Sequence, residues 1–195
     1  AHAGEGDDVN DPFEPINRGV FAVNQALDEM LFKPFARFYI AVAPDKFRIA
    51  VGNVVSNIGA PVVFVNDLLQ GDVDRAGTTL ARFMVNTTIG FGGMNDVAAD
   101  LGAPRHSEDF GQTIGSYGVS SGPFLMLPLL GPSNFRDGLG TVVDGFIDPV
   151  GTVLKGGQTV TRFAVEGLDK RANFLDASEA IEKTSLDYYA SIRSV

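Results

Sequence analysis

The chain has 195 residues, 45% hydrophobic and 20% charged, with a net charge of −9 and no cysteine. That length suits one domain with a substantial core. The charge balance excludes a nucleic-acid binder, which needs a basic surface to neutralise phosphates, and docking on anionic lipid through Lys/Arg clusters; the missing cysteine excludes disulfides, thiolate chemistry and cysteine-based zinc sites.

The polar start, residues 1–10 with Gly4 and Gly6, reads as a flexible leader to a single domain over 11–195. Asp11-Pro12-Phe13-Glu14 marks a helix start, with Asp11 as cap, Pro12 in the first turn and Glu14 at the capping-box position. Ile16, Val20, Val23, Leu27 and Met30 then recur at spacings of three and four, an apolar stripe widened by Phe21 and Leu31, until Pro34 breaks the pattern. A short apolar segment runs from Phe35 to Val42. Pro44-Asp45 opens another helix, Gly59 and Pro61 punctuate it, and Pro61 to Gln70 is again helical with Gly71 as its C-terminal cap. Asp72 starts the next helix, with Val73, Ala76, Leu80, Phe83, Met84 and Thr87 along one face.

That helix leads into an apolar glycine-rich turn, Ile89-Gly90-Phe91-Gly92-Gly93-Met94, after which Asn95 caps a short helix to Leu101. A hairpin tip in a soluble protein is ordinarily polar, so this one points to a lipid interface. The stretch from Phe110 to Phe135 carries no charged residue and is long enough to cross a bilayer. Pro123, Pro128 and Pro132 nevertheless remove backbone donors and rule out a membrane-spanning helix. Its ribbon Phe124–Leu130 must be buried against protein or lie at a lipid interface. Ser133 caps a helix through Phe146, and Asp148-Pro149 ends it. A longer helix spans Gln158 to Leu175, with Val160, Phe163, Ala164, Gly167, Leu168 and Leu175 inward, and a last amphipathic helix runs from Ser178 towards Ile192. Few stretches alternate as strands do, so the class is mainly α.

Several motifs carry chemistry weakly. Gly118-Val119-Ser120-Ser121-Gly122 fits the serine-hydrolase elbow, but Pro123 follows it and both histidines, His2 and His106, precede Ser120. Gly90–Asn95 has Asn95 where a nucleotide loop needs its third glycine. Asp72-Val73-Asp74 lacks the later oxygen donors of a calcium loop. His106 reads as a surface-loop histidine ahead of an acidic helix cap. Arg18, Arg82, Arg136 and Arg162 either meet lipid phosphates or pair with acids inside the bundle, and pairing is the favoured reading.

Four blocks in order resemble the MlaA (VacJ) family of outer-membrane phospholipid-transport lipoproteins: Asp11-Pro-Phe-Glu-Pro-Ile-Asn17-Arg18; Asn66-Asp-Leu-Leu-Gln70-Gly71-Asp72; Arg82-Phe83 with Asn86 to Gly93 and Asp96 to Ala98; and Phe110 to Gly115 with Tyr117 to Val119, Gly122-Pro123, Leu127-Pro128 and Arg136-Asp137. The resemblance implies a ring-shaped bundle of amphipathic helices lying in a membrane leaflet, with a central amphipathic channel. It implies no catalysis and no cofactor. The partners it implies are glycerophospholipid, a trimeric outer-membrane porin and the periplasmic lipid carrier MlaC. The location it implies is the periplasmic leaflet of the outer membrane, lipid-anchored in the full-length protein.

By position, Val20, Val23, Asn24, Phe124, Leu125, Leu127 and Leu129 are then expected at the lipid channel. Gly118, Ser120 and Gly122 match the hinge of a bordering loop, Ser120 standing where members often carry a third glycine. Ile89, Gly90, Phe91, Gly92, Gly93 and Met94 are expected to face the membrane. The alternatives are a porin-docking lipoprotein that moves no lipid and, least favoured, a lipid hydrolase through Ser120.

Overall fold

The structure, a computed structural model, describes residues 10–153 and 157–194, the side chains of 152 and 157–160 apart. Residues 1–9 of the expected leader and the side chain of the inward Val160 lie outside the described residues. The chain is mainly helical, in the order α1 (Glu14–Leu27), a π-turn (Asp28–Phe32), α2 (Lys33–Val42), α3 (Asp45–Leu69), α4 (Val73–Thr88), α5 (Val97–Asp100), α6 (Phe110–Ser116), β1 (Phe124–Leu127), β2 (Gly131–Asn134), α7 (Phe135–Ile147), α8 (Pro149–Val153), α9 (Gly157–Asn173), α10 (Leu175–Thr184) and α11 (Tyr188–Arg193). The helices form a ring-like bundle, and the β1–β2 hairpin packs on α1 and α7, its antiparallel register setting Phe124 opposite Asn134 and Leu127 opposite Gly131.

Neither Pro34 nor Pro61 ends a helix. Pro34 has no N–H for the preceding turn, and the chain absorbs this by widening that turn: the Lys33 N–H reaches five residues back to the Asp28 carbonyl. Pro61 sits inside α3, which runs unbroken for 25 residues and is long and apolar enough to cross a membrane by length and composition. Where the caps are local, the sequence reading holds. The Gly71 N–H donates to Leu68 O at 3.0 Å and the Asp72 N–H to Asp67 O at 3.0 Å, with Gly71 at φ +79°, a Schellman ending. Asp72 then accepts from the Arg75 N–H as the cap of α4.

Other caps move. Phe13, with no side-chain bond, begins α1, because Asp11 is spent on Asn17 and on the Tyr189 hydroxyl. Asp96, one residue past Asn95, caps α5. Asn134 caps α7 while Ser133 belongs to β2. The last expected helix is two, α10 and α11, separated at Ser185–Asp187, where Asp187 caps anew. Several further elements were not expected from sequence: the helical form of Lys33–Val42, the short α8, the hairpin, and α6, which starts on Asp109 accepting from the Gln112 N–H.

The polarity of the bundle is inverted. Among the described residues the fully buried large side chains are Asn66, Asp67 and Thr113, joined in the interior by Asn17, Thr79, Arg82, Asn86 and Asp169. Apolar side chains stand outside instead: Met30, Phe38, Phe47, Val73, Met84, Phe146 and Phe163 are all more than half exposed. The stripe on α4 is real and faces outward. Its buried positions are Ala76, Thr79, Arg82 and Asn86, and of the expected face only Ala76 is buried. On α1 the buried residue is Asn17 while Ile16 and Val23 are exposed, as is Met30 in the π-turn that follows. On α9 Asp169 and Ala172 are buried while Phe163, Ala164 and Gly167 are exposed and Leu168 is half-buried. Leu175, expected on that helix, begins α10 and is buried.

The inner polar groups satisfy one another, as burial demands. Asn66 donates to Asp144 at 2.9 Å and accepts from the Thr113 hydroxyl at 2.8 Å. Asp67 accepts from the Thr79 hydroxyl at 2.7 Å and contacts His106 at 2.9 Å. His106 is therefore not a free surface histidine but part of this interior network. The four arginines pair with acids: Arg18 with Glu14 and Asp187, Arg82 with Asp96, Arg136 with Asp137, and Arg162 with Asp148.

Close backbone crossings hold the ring. A Cβ on Gly140 of α7 would lie 2.4 Å from the Gly111 nitrogen of α6. Gly140→Ala is expected to cost about 2–3 kcal/mol through forced separation of the two helices. The matched Gly77→Ala, with nothing within 4 Å, is expected to stabilise by up to about 1 kcal/mol through helix propensity. Denaturant unfolding in mild detergent measures both, and equal changes would refute the crossing argument.

Candidate functional site

Two asparagines on α1 dock the hairpin. Asn17 donates to Phe124 O at 3.1 Å and accepts from the Met126 N–H at 2.9 Å. Asn24, seven residues on, donates to Leu127 O at 2.9 Å and accepts from the Leu129 N–H at 2.9 Å. Seven residues are about two helical turns, which returns both amides to one face. Each amide serves the free edge of β1 as a neighbouring strand would. Leu129 is held at φ +65°, uncommon for a residue with a side chain, and Asn24 pins it there. The turn consequently pushes Leu129 and Leu130 clear of the hairpin, each about two-thirds exposed at 66% and 68%.

Under that turn lies a cavity of ≈ 640 Å³ between the α1–α2 rod, the hairpin and α9. Phe32, Leu129, Leu130, Phe163 and Phe174 make its apolar wall, and Asn24, Asp28, Glu166, Lys170 and Arg171 its polar edge. The π-turn begins at Asp28, where Arg171 meets it with Nε at 2.6 Å and Nη2 at 2.7 Å from the two carboxylate oxygens. The Asp28 carboxylate raises the Arg171 pKa above its ordinary value, against the pull of burial.

Of the residues expected at the channel, Asn24 and Leu129 line this cavity. Phe124 does not: with Met126 and Tyr189 it forms the small apolar core, edge-on to the Tyr189 ring at 6.2 Å, and Val20 packs against that core. Val23 is exposed on the outer side of α1. Leu125 and Leu127 are half-buried in β1 outside the cavity lining. Asp28, Phe32, Glu166, Lys170, Arg171 and Phe174 went unnoticed in the sequence. A charged residue one turn after Asn24 on its own face was the available signal.

The remaining expected sites divide. Gly118 and Gly122 both take positive φ, +87° and +73°, and flank an exposed Ser120. The hydrogen bonds of His106 go to Asp67 and Thr79, not to Ser120. At the hairpin tip Ile89, Phe91, Gly92 and Met94 are exposed, whereas Gly90 and Gly93 are buried and do not face outward. A Cβ on Gly93 would meet Asn57 of α3 at 2.5 Å, and one on Gly90 would strike Asn86 O at 2.5 Å. These two glycines seat the tip so that its apolar residues project.

Apolar side chains outside, amides and ion pairs inside, and an amphipathic cavity define a lipid-facing helical protein built around a polar interior. The chain belongs to the MlaA lipoprotein family, whose profile matches residues 9–195. It is 35% identical to the intermembrane phospholipid transport system lipoprotein MlaA of Escherichia coli K12, over 94% of this chain and 74% of that one. It is 29% identical to the protein of the same description in Haemophilus influenzae, over 94% and 75%. The uncharacterized protein RP093 of Rickettsia prowazekii is 36% identical over 96% and 75%. A chain solved in work on the structural basis for maintenance of bacterial outer membrane lipid asymmetry superposes with a TM-score of 0.82 at 34% identity, covering 94% of this chain and 93% of that one.

Proposed function

We propose that the protein is a passive phospholipid conduit of the Gram-negative outer membrane. It takes phospholipids mislocalised in the outer leaflet and passes them to a periplasmic carrier of the MlaC kind, beside a trimeric porin, and so maintains lipid asymmetry. The observation that carries this reading is the cavity of ≈ 640 Å³ with an apolar wall and a charged edge, set in a bundle whose outer surface is apolar. A phospholipid needs both kinds of surface at once, one for its tails and one for its head group. The exposed tip residues Ile89, Phe91 and Met94 and the outer faces of the helices supply a seat in one leaflet. The protein acts without catalysis, and its acyl-chain selectivity is loose, because apolar walls discriminate weakly by length.

The test is outer-leaflet phospholipid, measured by surface labelling in cells that lack this protein and in cells that carry it again. Restoration of low outer-leaflet phospholipid is expected, and failure to restore it at normal protein level would overturn the reading. Gly118 and Gly122 act as the hinge of the loop bordering the conduit. Their positive φ values are closed to proline, which is fixed near −65°. The double replacement Gly118→Pro, Gly122→Pro is accordingly expected to leave outer-leaflet phospholipid as high as in cells without the protein. Unchanged asymmetry at normal protein level would remove the hinge.

A further inference from the structure

Two cavities meet at one ion pair. Besides the cavity of ≈ 640 Å³, a second of ≈ 260 Å³ lies towards α10 and α11, and the two share Asn24, Asp28, Gly131, Pro132, Arg171 and Phe174. Within that shared rim all three guanidinium nitrogens of Arg171 are engaged: Nε and Nη2 donate to Asp28, and Nη1 donates to the Ser178 hydroxyl at 3.0 Å. Neighbouring Lys170 pairs with Glu166 at 2.7 Å. The polar edge is thus balanced, two cations against two carboxylates, before any ligand arrives.

A phosphodiester presents two oxygens much as a carboxylate does, and a guanidinium accepts either in the same forked geometry. An incoming phosphate can therefore displace Asp28 from Arg171. Asp28 would then be left without its counter-ion at a site where its side chain is only 29% exposed. Removing one partner of a desolvated pair is costly, so the exchange is favourable when the ligand also supplies a cation. A zwitterionic head group supplies both charges and an anionic one supplies only the phosphate.

We propose that Asp28 and Arg171 form a counter-ion exchange site that selects zwitterionic phospholipids over anionic ones, with the phosphate on Arg171 and the head-group ammonium on Asp28. The inference rests on the conduit reading and adds head-group selectivity to it. The exchange also loosens the pair at the rim common to both cavities, so that binding the head group and joining the two spaces are one event.

The experiment equilibrates the protein, in mild detergent, with vesicles of equal phosphatidylethanolamine and phosphatidylglycerol and counts the co-purified lipids by mass spectrometry. The wild type is expected to retain the zwitterionic lipid by about tenfold, since a like-charge juxtaposition penalises the other. Asp28→Asn is expected to bring the two to near parity. An independent arm needs no variant: N-acetylated phosphatidylethanolamine, which keeps the tails and the phosphate but loses the cation, should be retained as poorly as phosphatidylglycerol. Equal retention of the three lipids by the wild type overturns the inference alone, as does a preference that persists in Asp28→Asn. Absence of any retained phospholipid overturns the conduit reading and the inference together.

Discussion

Arg82→Met is expected to destabilise the protein by about 3 kcal/mol at neutral pH, the scale of breaking a buried ion pair by removing one partner. Arg82 reaches both oxygens of Asp96 through Nη2 at 2.8 Å and also donates to the Ala103 carbonyl, and its side chain is only 10% exposed. Methionine fills a similar volume, so the loss is not a cavity but a carboxylate left without its counter-ion. Asp96 is also the cap of α5 and the acceptor of Asn86, whose own oxygen takes the Ala98 N–H at 3.0 Å. One replacement thus loosens the whole return from α4 to α5, including the tip that Gly90 and Gly93 seat. Burial pushes the Asp96 pKa up, but the bonds from Arg82 and Asn86 outweigh it and hold it below the ordinary 3.8. A depressed folded-state pKa stabilises above the unfolded value and that gain is lost as pH falls through the folded one. The difference between wild type and Arg82→Met should therefore narrow below about pH 4. Thermal unfolding at neutral and at acid pH measures this, and a deficit that does not change with pH would place its origin in packing instead.

What the sequence made legible was local. Gly71 and Asp72 announce a helix end and a helix start because cap chemistry is completed within a few residues. The four arginines were legible as paired, since a guanidinium beside an apolar face needs an acid. The direction of the stripes was not. Periodicity locates an apolar face but not the medium it meets, and here Val73, Leu80 and Met84 face outward while Thr79, Arg82 and Asn86 turn in. The apolar tip at Ile89–Met94 signals that inversion, and the signal extends to the helices feeding the tip. Pro34 reads as a break in sequence because a π-turn depends on tertiary support: α2 packs against α9, and that contact holds the rod together. The hairpin escaped because its strands have four residues each, and its edge is satisfied by Asn17 and Asn24 rather than by a third strand. Asp28 and Arg171 are 143 residues apart, and no local pattern joins them.

The conduit reading is most exposed to Gly167→Trp, which is expected to abolish lipid passage while leaving the protein folded. Gly167 lines the cavity of ≈ 640 Å³, lies within α9, and has nothing within 4 Å of the place a Cβ would occupy. The Cβ of a new side chain there meets nothing, the ring can turn into the cavity that Gly167 lines, and replacing a mid-helix glycine recovers some helix propensity. The ring would stand between the apolar wall at Phe163 and Leu129 and the polar edge at Arg171, where tails and head group must pass together. Val20→Glu would be a poorer probe, because Val20 packs on the Phe124–Met126–Tyr189 core and a buried unpaired carboxylate there would unfold what it was meant to block. Gly77→Trp, at an equally open glycine on α4 away from the cavity, controls for the added bulk. Outer-leaflet phospholipid is expected to rise to the level of cells without the protein for Gly167→Trp and to stay low for Gly77→Trp, with both variants present in normal amount. Normal asymmetry with Gly167→Trp would mean that lipid does not travel through this cavity. The apolar exterior would then serve only to seat the protein in the membrane.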